Sequence, residues 1–405
     1  MTSSFPSGIS FDEAIAIIGD VASNHRLEVE SIATARADGR VLREDITAAI
    51  SLPPFDNSAM DGFAFRHADW FESGGTLRLA GDQFAGHALD APLAPGTCVR
   101  ITTGAPLPVG ADTIAIKEIV DVDVDTVRIP RDIKRGTFVR HAGEDVEAGD
   151  VVLRAGEVLT PVRVSLCAAL GISSVRVSRR PTVAVFTSGD ELIEPGLPLA
   201  HGQIYDSNRS LLQSLLRADG LEPTAWPRLP DDARQVEIAL RDAACAFDVV
   251  ITCGAASVGE KDFIPDVLQR FGTVHFWKVR MKPGMPALLA SVDQARVLAL
   301  PGNPVSVLAT YLTLGRALID GLQGRSEPRP VWRARLSAPI DKTHPRREFV
   351  RGALHCDATG VLRVEPSRAT ASNRLHAAAQ SQVLIAVGEG EQQLAIDDVV
   401  DVVPY

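Results

Sequence analysis

The sequence predicts a multidomain protein of the α/β plus β class, in which a central doubly wound α/β domain lies between two β-rich modules. The chain has 405 residues, more than one hydrophobic core usually supports, so two to four domains are expected. Short strand-like runs broken by Gly and Pro fill residues 49–145 and 328–405. Over residues 179–327, buried-type strands alternate with helical segments, which is typical of a doubly wound α/β domain.

Composition and charge exclude several classes of function. Apolar residues make up 45% and charged residues 23% of the chain, as in an ordinary soluble globular protein. The net charge of −10 argues against a protein that binds the phosphate backbone of nucleic acids. The N-terminus lacks the pattern of a secretory signal, and we find no apolar run of the ~20 residues that cross a bilayer. The five cysteines form no C-x-x-C motif, which favours a reducing cytoplasm. Taken together, these features predict a cytoplasmic protein without membrane or nucleic-acid partners.

The N-terminal half predicts one helix, a β-rich module and a connecting layer. Ser10-Phe-Asp-Glu13 reads as a capping box that opens an amphipathic helix. The β-rich module contains short strand-like runs at Thr76–Leu79, Cys98–Thr102, Thr113–Ile116 and Thr126–Ile129. Residues 146–178 hold a run at Val151–Leu153 and a helix from Pro161 to Leu170, and they form the connecting layer.

The central domain contributes the clearest alternation of strands and helices. Its strands are predicted at Val183–Phe186, Val249–Thr252, Val274–Trp277 and Val297–Leu300, and its helices near 208–219, 232–245, 262–270 and 304–320. Ligands of such domains bind beyond the carboxyl ends of the strands. The loops expected there are Thr187-Ser-Gly-Asp-Glu191, the 253–262 loop and Leu300-Pro-Gly-Asn-Pro-Val-Ser306. Pro304 can begin a helix whose N-terminal dipole favours phosphate, so this edge predicts a phosphate-binding cleft.

Charged residues beside these loops suggest two further features. Glu191, Asp231 and Asp262 would face the cleft together, and a hard cation such as Mg²⁺ would relieve their repulsion. The alternative is that each carboxylate caps a helix or lies in solvent. Lys278 and Lys282 are four residues apart on a strand-like segment, so both could face one anion, unless they are solvated surface lysines.

Two more observations narrow the chemistry. Residues 53–62 are dense in turn formers yet include Phe55 and Met60, so something apolar must cover this loop. The chain has no H-E-x-x-H, G-x-S-x-G or Walker motif, and zinc hydrolases and serine hydrolases are disfavoured.

Six motifs in order make the chain resemble the molybdopterin molybdenumtransferase family, to which bacterial MoeA and the E domain of gephyrin belong. They are Phe55-Asp-Asn-Ser-Ala-Met-Asp-Gly62, Thr103-Gly-Ala-Pro106, Thr187-Ser-Gly-Asp-Glu-Leu192, Ser257-Val-Gly-Glu260 with Asp262, Lys282-Pro-Gly284 and Pro301-Gly-Asn-Pro304. The resemblance covers nearly the whole chain, and the N-S-A-M-D-G string is highly specific.

The resemblance implies an L-shaped homodimer of four-domain subunits. A connecting and dimer domain would comprise residues 1–48 and 146–178, a β-rich domain 49–145, a molybdopterin-binding α/β domain 179–327 and a C-terminal β-barrel 328–405. It also implies the reaction, in which molybdate enters adenylylated molybdopterin with Mg²⁺ and AMP leaves as molybdenum cofactor forms. Other proteins of molybdenum cofactor synthesis are implied as possible partners.

The functional residues follow by position from the family's motifs. Catalytic roles are implied for Asp61, Thr103, Asp145, Glu191, Asp231, Lys278 and Lys282. Cofactor binding is implied for Ser188, Gly189, Gly254, Ser257, Pro301, Gly302, Asn303, Pro304 and Ser372. The Mg²⁺ ligands would be Glu191, Asp231 and Asp262.

The chain departs from the family pattern at three places. Gly254-Ala-Ala-Ser257 replaces Gly-Gly-Val-Ser, and Ala371-Ser-Asn-Arg374 stands where Gly-Ser-Gly or Gly-Ser-His is usual. Met285 replaces a common lysine, which removes one positive charge from the anion end of the cleft. Two other functions therefore stay open: an enzyme that makes or cleaves the adenylylated pterin, and a catalytically weakened scaffold that binds the cofactor.

Overall fold

The structure, a computed structural model, describes residues 5–87, 91–254 and 263–405. The predicted capping box is present at the first helix, Phe11–Ser23. Ser10 Oγ accepts the Glu13 N–H at 3.1 Å, and Glu13 Oε2 accepts the Ser10 N–H at 2.7 Å. The strand Ser7–Ile9 before it pairs in parallel with Thr273–Val279. Part of the 1–48 segment therefore packs with the central domain and not with residues 146–178.

The connecting domain is formed by the two segments that flank the β-rich domain. Val29–Ala33 pairs antiparallel with Ser174–Ser178, and Ile46–Thr47 pairs antiparallel with Val151–Leu153. The 3₁₀ turn Thr34–Arg36 and the helix Pro161–Ala169 complete it. Its core contains Leu42, Leu159, Cys167 and Val177.

The β-rich domain is a mixed sheet with the strand order Thr113–Ile116, Gly62–Phe65, Thr97–Ile101, Thr76–Gln83, Thr126–Arg128 and Asp121–Asp123. The four predicted strands are confirmed: Thr113–Ile116 has the predicted bounds, and the other three have one or both ends shifted. The strand Gly62–Phe65 was not predicted because it is buried throughout and lacks an alternating pattern. The remaining elements are the helix His67–Glu72, the 3₁₀ turn Lys117–Ile119 and the paired strands Asn57–Ser58 and Val139–Arg140.

The central sheet has the order Ser7–Ile9, Thr273–Val279, Leu288–Val292, Ala295–Leu300, Val249–Cys253, Val183–Thr187 and Pro223–Ala225. Leu288–Val292 runs antiparallel to both of its neighbours, so the sheet is mixed and not wholly parallel. The edge strand ends at Ala225. Beyond it, the N–H groups of Trp226 and Leu229 still donate to Val185 and Thr187 carbonyls.

Helices cover both faces of this sheet, as a doubly wound domain requires. One core unites Phe11–Ser23, Ser207–Ala218 and Pro304–Gln323, and the other unites Ala233–Ala246 and Ile264–Phe271. The Pro304–Gln323 helix comprises Pro304–Thr310, a π turn at Tyr311–Gly315 and Arg316–Gln323.

The Pro304–Gln323 helix is more apolar over its length than was expected from the sequence. Within the described residues, Pro304–Gln323 is long and apolar enough to cross a membrane, although the sequence inspection found no such run. However, 72% of its apolar window is buried inside the protein. Packing in the core therefore accounts for its composition without a bilayer.

The C-terminal domain is a closed barrel. Its strands follow the order Arg347–Cys356, Leu362–Pro366, Trp332–Leu336, Val399–Pro404 and Val383–Val387, and the last pairs back with the first. The predicted barrel is thus confirmed. The domain also contains the helix Leu375–Ala379 and the paired strands Ile340–Lys342 and Gln392–Leu394. Met281–Lys282 leaves the central domain and adds to the barrel sheet beside Arg347–Cys356, which connects the two domains.

Candidate functional site

Three parallel strands of the central domain end side by side. Thr187 pairs with Cys253, and Cys253 pairs with Leu300, so the loops that follow begin at one level. They surround a cavity of about 680 Å³, which we call the first cavity. Nine predicted residues line it: Ser188, Gly189, Glu191, Asp231, Gly254, Pro301, Gly302, Asn303 and Pro304. The predicted cleft therefore exists as a cavity at the carboxyl ends of the strands.

Close packing explains why glycine lies at position 254. Its φ is +91°, in the left-handed region that glycine favours. A Cβ here would lie 2.5 Å from Ser188 Oγ. Ser188 Oγ donates to the Cys253 carbonyl at 3.3 Å, so two loops of the cavity touch at this point.

The Pro301–Pro304 loop begins the long core helix and meets the barrel domain. Asn303 Nδ2 donates to Ser372 Oγ at 2.9 Å, and the Val305 N–H donates to the Ser372 carbonyl at 3.2 Å. Asn303, Pro304 and Ser306 line the first cavity. The positive end of the helix dipole is thus at the cavity wall, where it favours a phosphate or another anion.

Asp206 and Asn208 line the first cavity but were missed by sequence reasoning. Asp206 accepts hydrogen bonds from Thr187 Oγ1 at 2.6 Å and from the Arg209 N–H at 3.1 Å. Asn208 Nδ2 donates to the Gly302 carbonyl at 2.6 Å. Its Oδ1 is buried and has no hydrogen-bond partner within the described chain, so it can accept from a ligand. In the sequence these residues belong to Asp206-Ser-Asn208 at the start of a helix, a pattern that is typical of ordinary helix capping.

The predicted metal site is only partly within the described residues. Glu191 and Asp231 line the same cavity, whereas Asp262 and Ser257 lie outside the described ranges. No group of three His, Cys, Asp or Glu side chains arranged to hold a metal occurs in residues 5–87, 91–254 and 263–405. Carboxylate oxygens that share a cavity with an anion site fit Mg²⁺, which completes its shell with phosphate oxygens and water. The three-carboxylate site stays a prediction.

A second cavity of about 610 Å³ adjoins the first, and both are lined by Pro286, Asn303, Ser306 and Asn373. Its own residues include Lys282, Gly284, Met285, Arg346 and Ser372. Gly284 has φ +115°, and a Cβ there would lie 2.4 Å from Thr310 Cγ2 of the core helix. The Lys282-Pro-Gly284 loop can therefore pack against this helix only with glycine.

The two predicted lysines do not share one strand face, so that expectation is wrong. Lys278 lies in Thr273–Val279 of the central sheet, and Lys282 lies in Met281–Lys282 of the barrel sheet. The backbone at Lys278 has φ +65°, which interrupts the two-residue period. Lys278 Nζ lies 4.2 Å from the Trp277 ring centroid. Of the two lysines, only Lys282 is among the described residues that line the first or second cavity.

The second cavity has a cationic side chain next to Met285. Arg346 Nη1 lies 3.8 Å from Met285 Sδ, and both residues line the cavity. Arg346 therefore supplies positive charge beside the position where the family commonly has lysine. Sequence reasoning missed it because it lies 61 positions further along the chain.

Comparisons with known proteins agree with this architecture. Family models match residues 9–171 (MoeA N-terminal region, domains I and II), 184–320 (probable molybdopterin binding domain) and 333–405 (MoeA C-terminal region, domain IV). A molybdopterin molybdenumtransferase of Haemophilus influenzae is 37% identical over 381 residues, which cover 93% of this chain and 94% of the relative. The chain belongs to the molybdopterin molybdenumtransferase family. The resemblance seen in the sequence is thus confirmed.

Further relatives support membership of the molybdenumtransferase family. Molybdopterin molybdenumtransferase 2 of Mycobacterium tuberculosis is also 37% identical, over 90% of this chain and 92% of its own length. A crystal structure of the molybdopterin biosynthesis MoeA protein from Pyrococcus horikoshii OT3 has a TM-score of 0.82 at 27% identity. It covers 98% of this chain and 100% of that one.

The family motifs of the β-rich domain lie away from both cavities of their own chain. Asp61 Oδ1 accepts the Thr103 N–H at 2.9 Å and the Thr103 hydroxyl at 2.8 Å, and Lys117 Nζ lies 3.3 Å from Oδ2. The Thr103 backbone and side-chain hydrogen bonds, followed by that of Lys117, lower the pKa of Asp61. Asp145 is exposed. None of Asp61, Thr103 and Asp145 is among the described residues that line the two cavities.

Proposed function

We propose that the protein is a molybdopterin molybdenumtransferase that inserts molybdate into adenylylated molybdopterin, with Mg²⁺-dependent release of AMP. One observation carries this proposal: a cavity with carboxylates and a helix N-terminus opens beside a cavity with cationic residues, and they share four lining residues. The reaction needs this combination, because a phosphoanhydride must be held with a cation while an oxyanion is presented nearby.

The first cavity suits the phosphate-bearing substrate. The loop that contains Gly302 and the N-terminus of the Pro304–Gln323 helix present positive backbone dipoles. Glu191 and Asp231, with Asp262 by prediction, would hold Mg²⁺. When bound, the cation supplies a Lewis acid for the scissile phosphoanhydride. Asn208 Oδ1 would accept a hydrogen bond from the substrate.

The second cavity suits molybdate. Lys282 and Arg346 supply positive charge at its wall, and the loop that contains Ser372 closes against Asn303. Charge-assisted hydrogen bonds from such groups stabilise an oxyanion. Molybdate held here would lie beside the first cavity, where the dithiolene sulfurs of the pterin can reach it.

The β-rich domain would act on the active site of a second subunit, and the protein would work as a homodimer in the cytoplasm. The Asp61 loop reaches neither described cavity of its own chain, and Phe55 and Met60 beside it are 45% and 41% exposed. An isologous two-fold contact would cover these apolar side chains and bring Asp61 to the partner's cleft. This arrangement also excludes water from the reacting groups.

The test uses purified protein with adenylylated molybdopterin and Mg²⁺, with and without molybdate. AMP release and molybdenum cofactor should appear together and only with molybdate. Glu191→Gln should slow AMP release about 100-fold, since it removes a charged ligand of the cation. Glu194→Gln changes an exposed glutamate of the same segment and serves as the control. Full AMP release without molybdate would instead identify a pyrophosphatase on the same scaffold.

A further inference from the structure

The side chain of Lys282 forms an ion pair with a buried carboxylate of the barrel domain. Lys282 Nζ lies 2.9 Å from Glu348 Oε1, and the two side chains are 38% and 11% exposed. The two residues are direct partners in the parallel pairing of Met281–Lys282 with Arg347–Cys356. Directly opposite residues of unlike charge stabilise such a pairing. The barrel domain thus supplies a fixed anchor for a cation that lines the second cavity.

Glu348 is held in turn by His344. Glu348 Oε2 lies 3.1 Å from His344 Nε2. Because an ionised carboxylate only accepts, this contact places the ring proton on Nε2. His344 Nδ1 is then a bare acceptor, and it is buried without a hydrogen-bond partner among the residues described. Burial lowers the pKa of His344; Glu348 opposes this, and the charges of Lys282, Lys342 and Arg346 lower it further.

The segment that carries His344 is itself fixed. Lys342 is 2% exposed and donates to the carbonyl oxygens of His344, at 2.7 Å, and of Gly390. The neutral ring of His344 therefore donates to Glu348 from a rigid position. Lys282, Glu348 and His344 form one chain of contacts that runs from the second cavity into the barrel.

We propose that Glu348, anchored by His344, is a positioning residue that holds the Lys282 ammonium group in the wall of the second cavity. The role rests on the proposed function, in which Lys282 binds molybdate. A free lysine side chain loses rotamer freedom when it binds an anion, and a side chain fixed beforehand avoids much of that loss.

Positioning and simple charge predict opposite effects of removing Glu348. A carboxylate beside an anion site repels the anion, so its loss would strengthen oxyanion binding if charge were its only contribution. If Glu348 positions Lys282, its loss weakens oxyanion binding. Shortening it to Asp keeps the charge but moves the carboxylate back by one methylene, so only the positioning role predicts weaker binding.

The experiment measures the dissociation constants of molybdate and tungstate for the full-length protein by titration calorimetry. Glu348→Ala and Glu348→Asp should each weaken binding about three- to tenfold, the range expected for releasing one long side chain. Glu348→Gln keeps an acceptor for Lys282 and should restore most of the affinity. Asp397→Asn, which removes an exposed carboxylate paired with Arg363 in the same barrel, is the control and should change nothing.

A double-mutant cycle tests whether Glu348 acts through Lys282. In a Lys282→Met background, Glu348→Ala should cause no further loss of oxyanion affinity. Tighter binding by Glu348→Ala, unchanged binding by Glu348→Asp, or an equal loss in both backgrounds would overturn the inference. If Glu348→Ala does not fold, as melting curves would show, the Asp and Gln variants decide alone.

The same titrations separate this inference from the proposed function. A wild-type protein that binds neither oxyanion and releases no AMP would overturn both. A wild-type protein that binds molybdate and releases AMP, with an unaffected Glu348→Asp variant, would overturn the positioning role alone. In turnover assays, Glu348→Ala and Glu348→Asp should raise the molybdate concentration for half-maximal AMP release more than they lower the maximal rate of AMP release.

Discussion

Asp61 is held as a carboxylate by its neighbours. Thr103 donates two hydrogen bonds to Oδ1, and these are the largest causes of the lowered pKa of Asp61. Thr103→Val keeps the shape and the backbone hydrogen bond but removes the hydroxyl. The pKa of Asp61 should rise, because one hydrogen bond to the charged form is lost.

If ionised Asp61 is needed for turnover, the acid limb of the pH profile of Thr103→Val moves to higher pH. Measurement of AMP release from pH 4 to 8 checks this, with Thr126→Val as the control, because the strand of Thr126 is three strands away from Gly62–Phe65 in the β-rich sheet. An acid limb identical to that of the wild type would show that protonation of Asp61 does not limit the reaction.

Arg346 should matter because it contributes charge beside Met285. Arg346→Gln should raise the molybdate concentration for half-maximal AMP release about tenfold, as expected for one lost charge-assisted contact. Arg335→Gln, which changes an exposed arginine elsewhere in the barrel, is the matched control. Equal molybdate dependence of the two variants would mean that Arg346 does not face the oxyanion.

Individual residues show what sequence motifs can and cannot supply. Gly254 and Asn303 were predicted because they lie in contiguous loops directly after strands. Glu348 and Arg346 were missed because only the barrel fold brings them to the Lys282 loop. The relative placement of Lys278 and Lys282 was wrong because the backbone at Lys278 is left-handed and the chain changes sheet before Lys282.

At the scale of elements, a buried ion-pair network joins the end of one helix to the middle of the Pro304–Gln323 helix and to the linker before the barrel. Asp219 ends the helix Ser207–Ala218 and accepts from Tyr311 Oη at 2.7 Å, Arg316 Nε at 2.9 Å and Arg329 Nη1 at 2.8 Å. Burial alone would raise the pKa of Asp219, but the hydrogen bond from Arg316 and the charges of Arg329 and Arg316 outweigh it, so the pKa is lowered.

Asp219→Asn should destabilise the protein at pH 7 by about 3–5 kcal/mol, because it leaves Arg316 without its carboxylate partner and Arg329 with Asp320 as its remaining one. A carboxylate with a lowered folded-state pKa contributes stability above its unfolded pKa and loses it as pH falls through the folded value. The difference from wild type should therefore shrink below the ordinary value of 3.8. Urea unfolding at several pH values measures it.

The control for this prediction is Asp401→Asn, which breaks an exposed pair with Arg333. Its effect should stay within about 1 kcal/mol at all pH values. An Asp219→Asn variant as stable as Asp401→Asn would mean that the network contributes no net stability.

Helices and strands were predictable where their signals are local. The capping box at Ser10 and the strand Val249–Cys253 depend on neighbouring residues and on a strong apolar run. The antiparallel strand Leu288–Val292 and the joining of Ser7–Ile9 to the central sheet depend on distant pairing partners. No periodicity in a single segment carries that information.

At the scale of the whole molecule, the active site is expected to draw on two chains. Asp61→Ala and Lys282→Met can be co-expressed with different tags and the mixed dimer purified. One of its two sites should carry neither change, so activity near half of wild type per dimer is expected, against almost none for either homodimer. AMP release measures this, and a mixed dimer as inactive as its parents would show that each site lies within one chain.

The domain order was predictable because the texture of the sequence changes at each boundary and the motifs cover nearly the whole chain. The junction between the first and second cavities was not predictable. It depends on Met281–Lys282 crossing into the barrel and on Ser372 packing against Asn303, both of which are tertiary contacts.

The proposed reaction requires molybdate to bind in the second cavity beside a pterin phosphate in the first. Crystals soaked with tungstate and adenylylated molybdopterin, measured at the tungsten absorption edge, test it most directly. We expect an anomalous peak within hydrogen-bonding distance of Lys282, between Arg346 and Ser372, with phosphate density at the Gly302 loop. A well-occupied tungsten peak away from Lys282, with phosphate density outside the first cavity, would contradict it.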